Sequence, residues 1–93
     1  MEVIWSKRSV ENLRLIWEFY KKRSLSGANK MVQGIKTKGD PLSPNILHQR
    51  EENLQPNQYR AIYKYFKIIY MIKNNQVLIL QIFDARQNPD KLN

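Results

Sequence analysis

The sequence predicts an α+β domain: an N-terminal strand, an antiparallel two-helix hairpin, and a C-terminal three-stranded antiparallel meander. Three observations predict it. Apolar residues recur at helical spacing in two stretches of the N-terminal half. Only a few residues separate those stretches, so the helices must fold back on each other. From Tyr59 onward the apolar period switches to two, the period of strands.

Glu2–Trp5 alternates polar and apolar residues and is too short for a helix, so it reads as the first strand. Ser6 or Ser9 then caps a helix that runs to about Arg23. Val10, Leu13, Ile16, Trp17 and Tyr20 share one face and form its core stripe. Lys21, Lys22 and Arg23 crowd its last turn, where cations favour the helix dipole. Leu15 and Phe19 sit one turn apart on the far side from that stripe. They pack against the second helix or the loop, or they form an exposed ridge that a partner covers.

Ser24 or Ser26 caps the second helix, whose stripe is Ala28, Met31, Val32 and Ile35. Gly34 weakens this helix, and Gly39, Asp40 and Pro41 end it. Residues 40–58 hold three of the four prolines and read as loop, with an extended piece at Ile46–His48. Tyr59, Ala61, Tyr63 and Tyr65 then share one strand face, and Arg60, Ile62 and Lys64 the other. Phe66–Lys73 and Gln76–Asp84 follow, joined by Asn74-Asn75, a pair that tolerates the positive φ of a tight hairpin turn. Both strands are apolar on two faces, which marks them as central. The order of the strands stays open.

The 93 residues make one domain, 1–93, able to hold a single modest core. With no cysteine, disulfides, thiolate metal sites and thiol nucleophiles are excluded, and a lone His48 cannot build a histidine-rich metal site. No phosphate cradle, nucleophile elbow or paired metal ligands occur, so no metal and no cofactor is expected. No apolar run approaches the ~20 residues that span a bilayer, and the N-terminus does not read as a signal peptide. The expected location is therefore the cytoplasm, without a membrane partner.

The formal net charge is +8. It is uneven: +6 over residues 1–39, −2 over 40–58 and +4 over 59–93. Such an excess on a small protein suits polyanionic or acidic partners. Arg60 opens a strand and Arg86 follows the last one, positions from which guanidinium groups can hold phosphate or carboxylate bidentately. The plainer alternative is an ion pair with Asp84 or Glu52. Tyr59, Tyr63, Tyr65 and Tyr70 can stack on bases or simply pack. His48, in a loop beside Gln49, Arg50, Glu51 and Glu52, is a proton carrier or a solvated side chain.

The order strand–helix–helix–three strands, with VIWS at the start, Tyr59-Arg60 opening the meander, KIIYMI in its middle and IFDARQNP at its end, resembles the RelE/ParE superfamily of toxins from bacterial toxin–antitoxin systems. The resemblance covers nearly the whole chain and implies the family's βααβββ fold. It implies growth inhibition, a role in plasmid stabilisation, and a cognate antitoxin whose acidic segment wraps the basic and apolar surfaces. It also implies one of two targets. RelE-like members cleave mRNA on the ribosome, and ParE-like members poison DNA gyrase by binding. For a nuclease, the resemblance assigns Arg60 and Arg86 to the phosphate and leaves His48 as proton carrier. This chain has no Tyr or His after Tyr70, and Asp84 stands where many members have His. That favours the ParE-like branch; beside the two toxin readings stands a third, a plain basic binding module with no toxicity. The residues expected to bind the target are Arg60, Lys64, Asp84 and Arg86, and those expected to bind the antitoxin are Leu15, Phe19, Arg60 and Arg86.

Overall fold

The computed structural model describes residues 3–44, 49–50 and 57–86. The elements follow as β1 (Val3–Trp5), α1 (Lys7–Lys21), α2 (Leu25–Gly39), β2 (Gln49–Arg50), β3 (Gln58–Tyr63), β4 (Phe66–Lys73) and β5 (Gln76–Asp84). The α+β layout expected from the sequence is present, and its meander is the core of a five-stranded sheet of order β1-β5-β4-β3-β2. β1 joins β5 in parallel, Val3 opposite Val77 and Trp5 opposite Ile79, while the other pairings are antiparallel.

Local chemistry sets most boundaries. Ser6 caps α1, accepting from the Ser9 N–H at 3.0 Å, and Ser24 caps α2, accepting from the Gly27 N–H at 2.9 Å. Asn74 and Asn75 take φ of 53° and 60°, the left-handed turn that asparagine tolerates and that joins β4 to β5. Lys64 has φ 54° and forms, with Tyr65, a second tight turn between β3 and β4. The strand expected from Tyr59 to Tyr65 therefore stops at Tyr63. Ile46–His48 lies outside the described residues, and the described extended piece is Gln49–Arg50, paired with Tyr59 and Arg60.

The helices cover one sheet face. Ile35, Phe66, Ile68, Tyr70, Val77, Ile79 and Ile82 bury there, with Leu13, Ile16, Tyr20, Tyr59 and Tyr63 packed around them. Val10, expected in the stripe of α1, is 53% exposed. The buried position is Ser9 instead, whose hydroxyl donates to the Ser6 carbonyl at 2.8 Å. The Ser6 cap holds this first turn of α1 against the sheet, its N–H donating to Ile79 O at 3.0 Å, and Ser9 is fully buried there. Trp17 is half-buried, its indole N–H donating to Asn29 Oδ1 of α2 at 2.9 Å.

Gly34 does more than weaken α2. A Cβ there would lie 2.1 Å from the Tyr63 ring, so the missing side chain is the seat of that tyrosine. Gly39 gives Trp5 the same room at 2.7 Å, and the Trp5 indole N–H donates to Asp40 Oδ1 at 2.9 Å. Among the described residues no helix is long and apolar enough to cross a membrane.

Candidate functional site

β1 is only three residues long, so its pairing with β5 ends at Ile79. There the chain turns away into α1, and among the described residues no strand pairs with Leu80–Asp84 on that side. A register shift opposite Ile69 and Tyr70 falls at the same place, making Leu80 the extra residue of a bulge. Polar groups of α1 satisfy the exposed edge. The Ser6 N–H donates to Ile79 O at 3.0 Å, the Ser6 hydroxyl to Leu80 O at 2.9 Å, and the Ile82 N–H to Asn12 Oδ1 at 2.8 Å.

Between this edge and α1 lies a groove of about 430 Å³. From α1 it is lined by Arg8, Asn12, Leu15 and Phe19, spaced four, three and four residues apart on one helix face, with Ile16 and Tyr20 deeper. From β5 it is lined by both sheet faces, Ile82 and Asp84 from one and Gln81 and Phe83 from the other, since among the described residues no strand closes that edge. Leu15 is 51% exposed and Phe19 64%, so of the two arrangements open to them the exposed ridge is the one found. Large apolar side chains held open beside cations are what a partner's apolar anchors and carboxylates fit.

Arg86 closes one end. Its Nε and Nη2 donate to the two oxygens of Asp84 at 3.0 and 2.7 Å, and its backbone N–H adds a third bond at 2.9 Å. The guanidinium lies 3.8 Å from the Tyr65 ring centroid, a cation–π stack. The Tyr65 and Tyr20 hydroxyls hydrogen-bond, and the Ala85 N–H donates to Tyr65 O at 2.7 Å, fixing this corner to the β3–β4 turn. The Arg86 hydrogen bonds hold the Asp84 carboxyl below its ordinary range, and Asp84 raises Arg86 in return. Burial, then the bond to Tyr65, pushes the Tyr20 phenol up.

The structure does not gather all the residues that the sequence singled out. Arg60 pairs in register with Ile69, whose neighbour on β5 is Gln81, and so stands on the sheet face away from the helices. Arg86 stacks on Tyr65 at the opposite end and on the helical side. The arginines expected to share a phosphate are thus on opposite faces, and Arg60 does not line the groove. Lys64 is exposed on the turn, its Nζ 5.8 Å from the Tyr63 ring. His48 and Glu52 lie outside the described residues. The tyrosines are packing residues: Tyr70 is 1% exposed, and Tyr59, Tyr63 and Tyr65 pack around the core. Sequence reasoning missed Arg8, Asn12 and Tyr20 as parts of the site. The spacing that links Arg8 and Asn12 to Leu15 and Phe19 was present as a signal.

Known proteins agree with this architecture. The family model described as ParE toxin of type II toxin–antitoxin system, parDE, matches residues 3–89. Comparison with curated proteins returns no significant match. Among solved structures, the chromosomal ParDE system of P. aeruginosa superposes with a TM-score of 0.77 at 19% identity, covering 91% of this chain and 96% of that one. The conserved hypothetical protein HP0894 of Helicobacter pylori gives 0.59 at 12% identity, covering 94% and 97%. The toxin–antitoxin complex RelBE2 of Mycobacterium tuberculosis gives 0.52 at 16%, covering 90% and 91%.

Proposed function

The chain belongs to the ParE toxin family of type II toxin–antitoxin systems, and from that premise we propose that it inhibits DNA gyrase by binding, without cleaving a substrate. The observation that carries the choice of binding over cleavage is the Asp84–Arg86 pair. RNA hydrolysis needs cations free to meet charge developing on a phosphate, and a proton carrier beside them. Arg86 already spends two donors of its fork on Asp84, Asp84 is held ionised, and Arg60 stands on the other sheet face. An ionised carboxylate at that corner repels a phosphate and donates no proton.

In this reading the groove between α1 and β5 receives the antitoxin. Leu15 and Phe19 are the apolar anchors, and Arg8 and the outer side of Arg86 meet acidic residues of the wrapping segment. Arg86, Lys64 and the corner around them contact the target once the antitoxin is gone. The site of action is the bacterial cytoplasm, the outcome is growth inhibition, and plasmid stabilisation follows where the gene pair is plasmid-borne. The test is a supercoiling reaction with purified gyrase and relaxed plasmid, run beside a translation extract probed for cut mRNA. Inhibited supercoiling with intact mRNA supports the reading. Cut mRNA with untouched supercoiling overturns it.

A further inference from the structure

Away from the groove, the stretch from the end of α1 through α2 carries charge of one sign. From residue 19 to 39 the chain has six basic residues and no acidic one. The two carboxylates of the hairpin are both used on α1: Glu11 and Glu18 hold Arg14 at 2.6 and 3.1 Å, and Glu18 also reaches Lys21 at 3.6 Å. On α2, Lys30, Lys36 and Lys38 are exposed and, among the described residues, engaged in no ion pair. Between them the outer surface is polar and uncharged: Ser26, Asn29, Gln33 and Thr37 are exposed, with Gln33 Nε2 at 3.4 Å from Thr37 Oγ1.

We propose that this face of α2, with Lys22 and Arg23 at the connection to α1, binds the phosphate backbone of duplex DNA. The composition of the face selects the occupant. An acidic protein segment needs apolar anchors, and past Leu25 at its first position α2 exposes no large apolar side chain. A single strand needs aromatic platforms for unstacked bases, and α2 contains none. Lysines set among amide and hydroxyl side chains are the groups that contact phosphate without reading sequence. Lys30 lies in the middle of the outer face, and Lys36 and Lys38, about 160° apart around the helix, flank it on either side. Over a rise of ~12 Å their long side chains reach phosphates on both sides of a helix laid along the duplex. The inference does not depend on gyrase being the target, because the contact is read with DNA alone.

The test is fluorescence anisotropy of the full chain on a short labelled duplex of arbitrary sequence, between about 50 and 200 mM salt. The wild type is expected to bind with a slope of log K against log salt of about −3 or steeper. The variant K30Q/K36Q/K38Q is expected to lose about three units of that slope, and K30Q alone about one. Glutamine is a good helix former and these positions are exposed, so circular dichroism should be unchanged. The control is R14Q, whose charge Glu11 and Glu18 already hold; its slope should match that of wild type. Absence of binding at the lowest salt, an unchanged slope in K30Q/K36Q/K38Q, or an equal loss in R14Q overturns the proposal. So does tighter lysine-dependent binding to poly-glutamate or to single-stranded RNA than to the duplex.

Discussion

Replacing Gly34 by alanine sets two effects against each other, and the structure decides the sign. In an exposed helix the change stabilises by about 1 kcal/mol, because glycine has the larger backbone entropy to lose. Here the new Cβ would stand 2.1 Å from Cζ of Tyr63 and 2.3 Å from its hydroxyl oxygen. Either α2 lifts from β3 or the Tyr63 ring swings out of its seat. An aromatic side chain buries about 150–250 Å²; losing half of that at ~25 cal/mol per Å² costs roughly 2–3 kcal/mol. The net expectation is destabilisation by about 1–2 kcal/mol, a fall in Tm of roughly 5–15 °C for a domain this size. In a Tyr63→Ala background the obstruction is gone, and Gly34→Ala should instead stabilise by up to about 1 kcal/mol. Thermal and urea unfolding of the four proteins of this cycle gives the coupling directly. A wild-type Tm that rises with Gly34→Ala, or a change of the same sign in both backgrounds, would refute the claim that Gly34 seats Tyr63.

Three further outcomes follow from the site. Phe19→Ala should weaken antitoxin binding about 100-fold in calorimetry: at 64% exposed, the ring leaves ~130 Å² to cover, or about 3 kcal/mol. Its own Tm should move little, since the ring is mostly exposed and loses an edge-to-face contact with Tyr20 at 5.1 Å. Asp84→Asn should flatten the acid limb of the stability curve. The folded carboxyl is depressed below its unfolded value, so its contribution is present above about pH 4 and is lost as pH falls through the folded value. With the Arg86 side chain 60% exposed, that contribution is at most about 1 kcal/mol, read as urea midpoints against pH. Asn12→Ala should cost about 1–3 kcal/mol in urea unfolding, because the Ile82 N–H loses its acceptor at a part-buried strand edge.

What the sequence made legible is what local chemistry fixes. The serine caps, the Asn74-Asn75 turn, and the bounds of β4 and β5 each depend on residues within a few positions of one another. The two-sided apolar pattern of β4 and β5 correctly marked them as interior strands. Features set by distant partners were hidden. Hydrophobicity favours Val10 over Ser9, yet the approach of α1 to the sheet buries the smaller residue. The parallel docking of β1 on β5 joins residues more than seventy positions apart, and no local pattern announces it. The short length of β1 then creates the groove, so the site itself could be read only in part. Leu15 and Phe19 were visible as a ridge, and the Asp84–Arg86 pair as one option of an i, i+2 spacing. The stack of Arg86 on Tyr65, and the separation of Arg60 from Arg86 across the sheet, follow from register alone.

The central claim, a toxin that acts by binding gyrase, meets its most direct test in the supercoiling of relaxed plasmid by purified gyrase with increasing amounts of this protein. The account predicts that supercoiling is lost with added toxin, is restored by the antitoxin, and that the same preparation leaves mRNA intact in a translation extract. Unimpaired supercoiling at a large molar excess, accompanied by cleavage of mRNA on the ribosome, would contradict it.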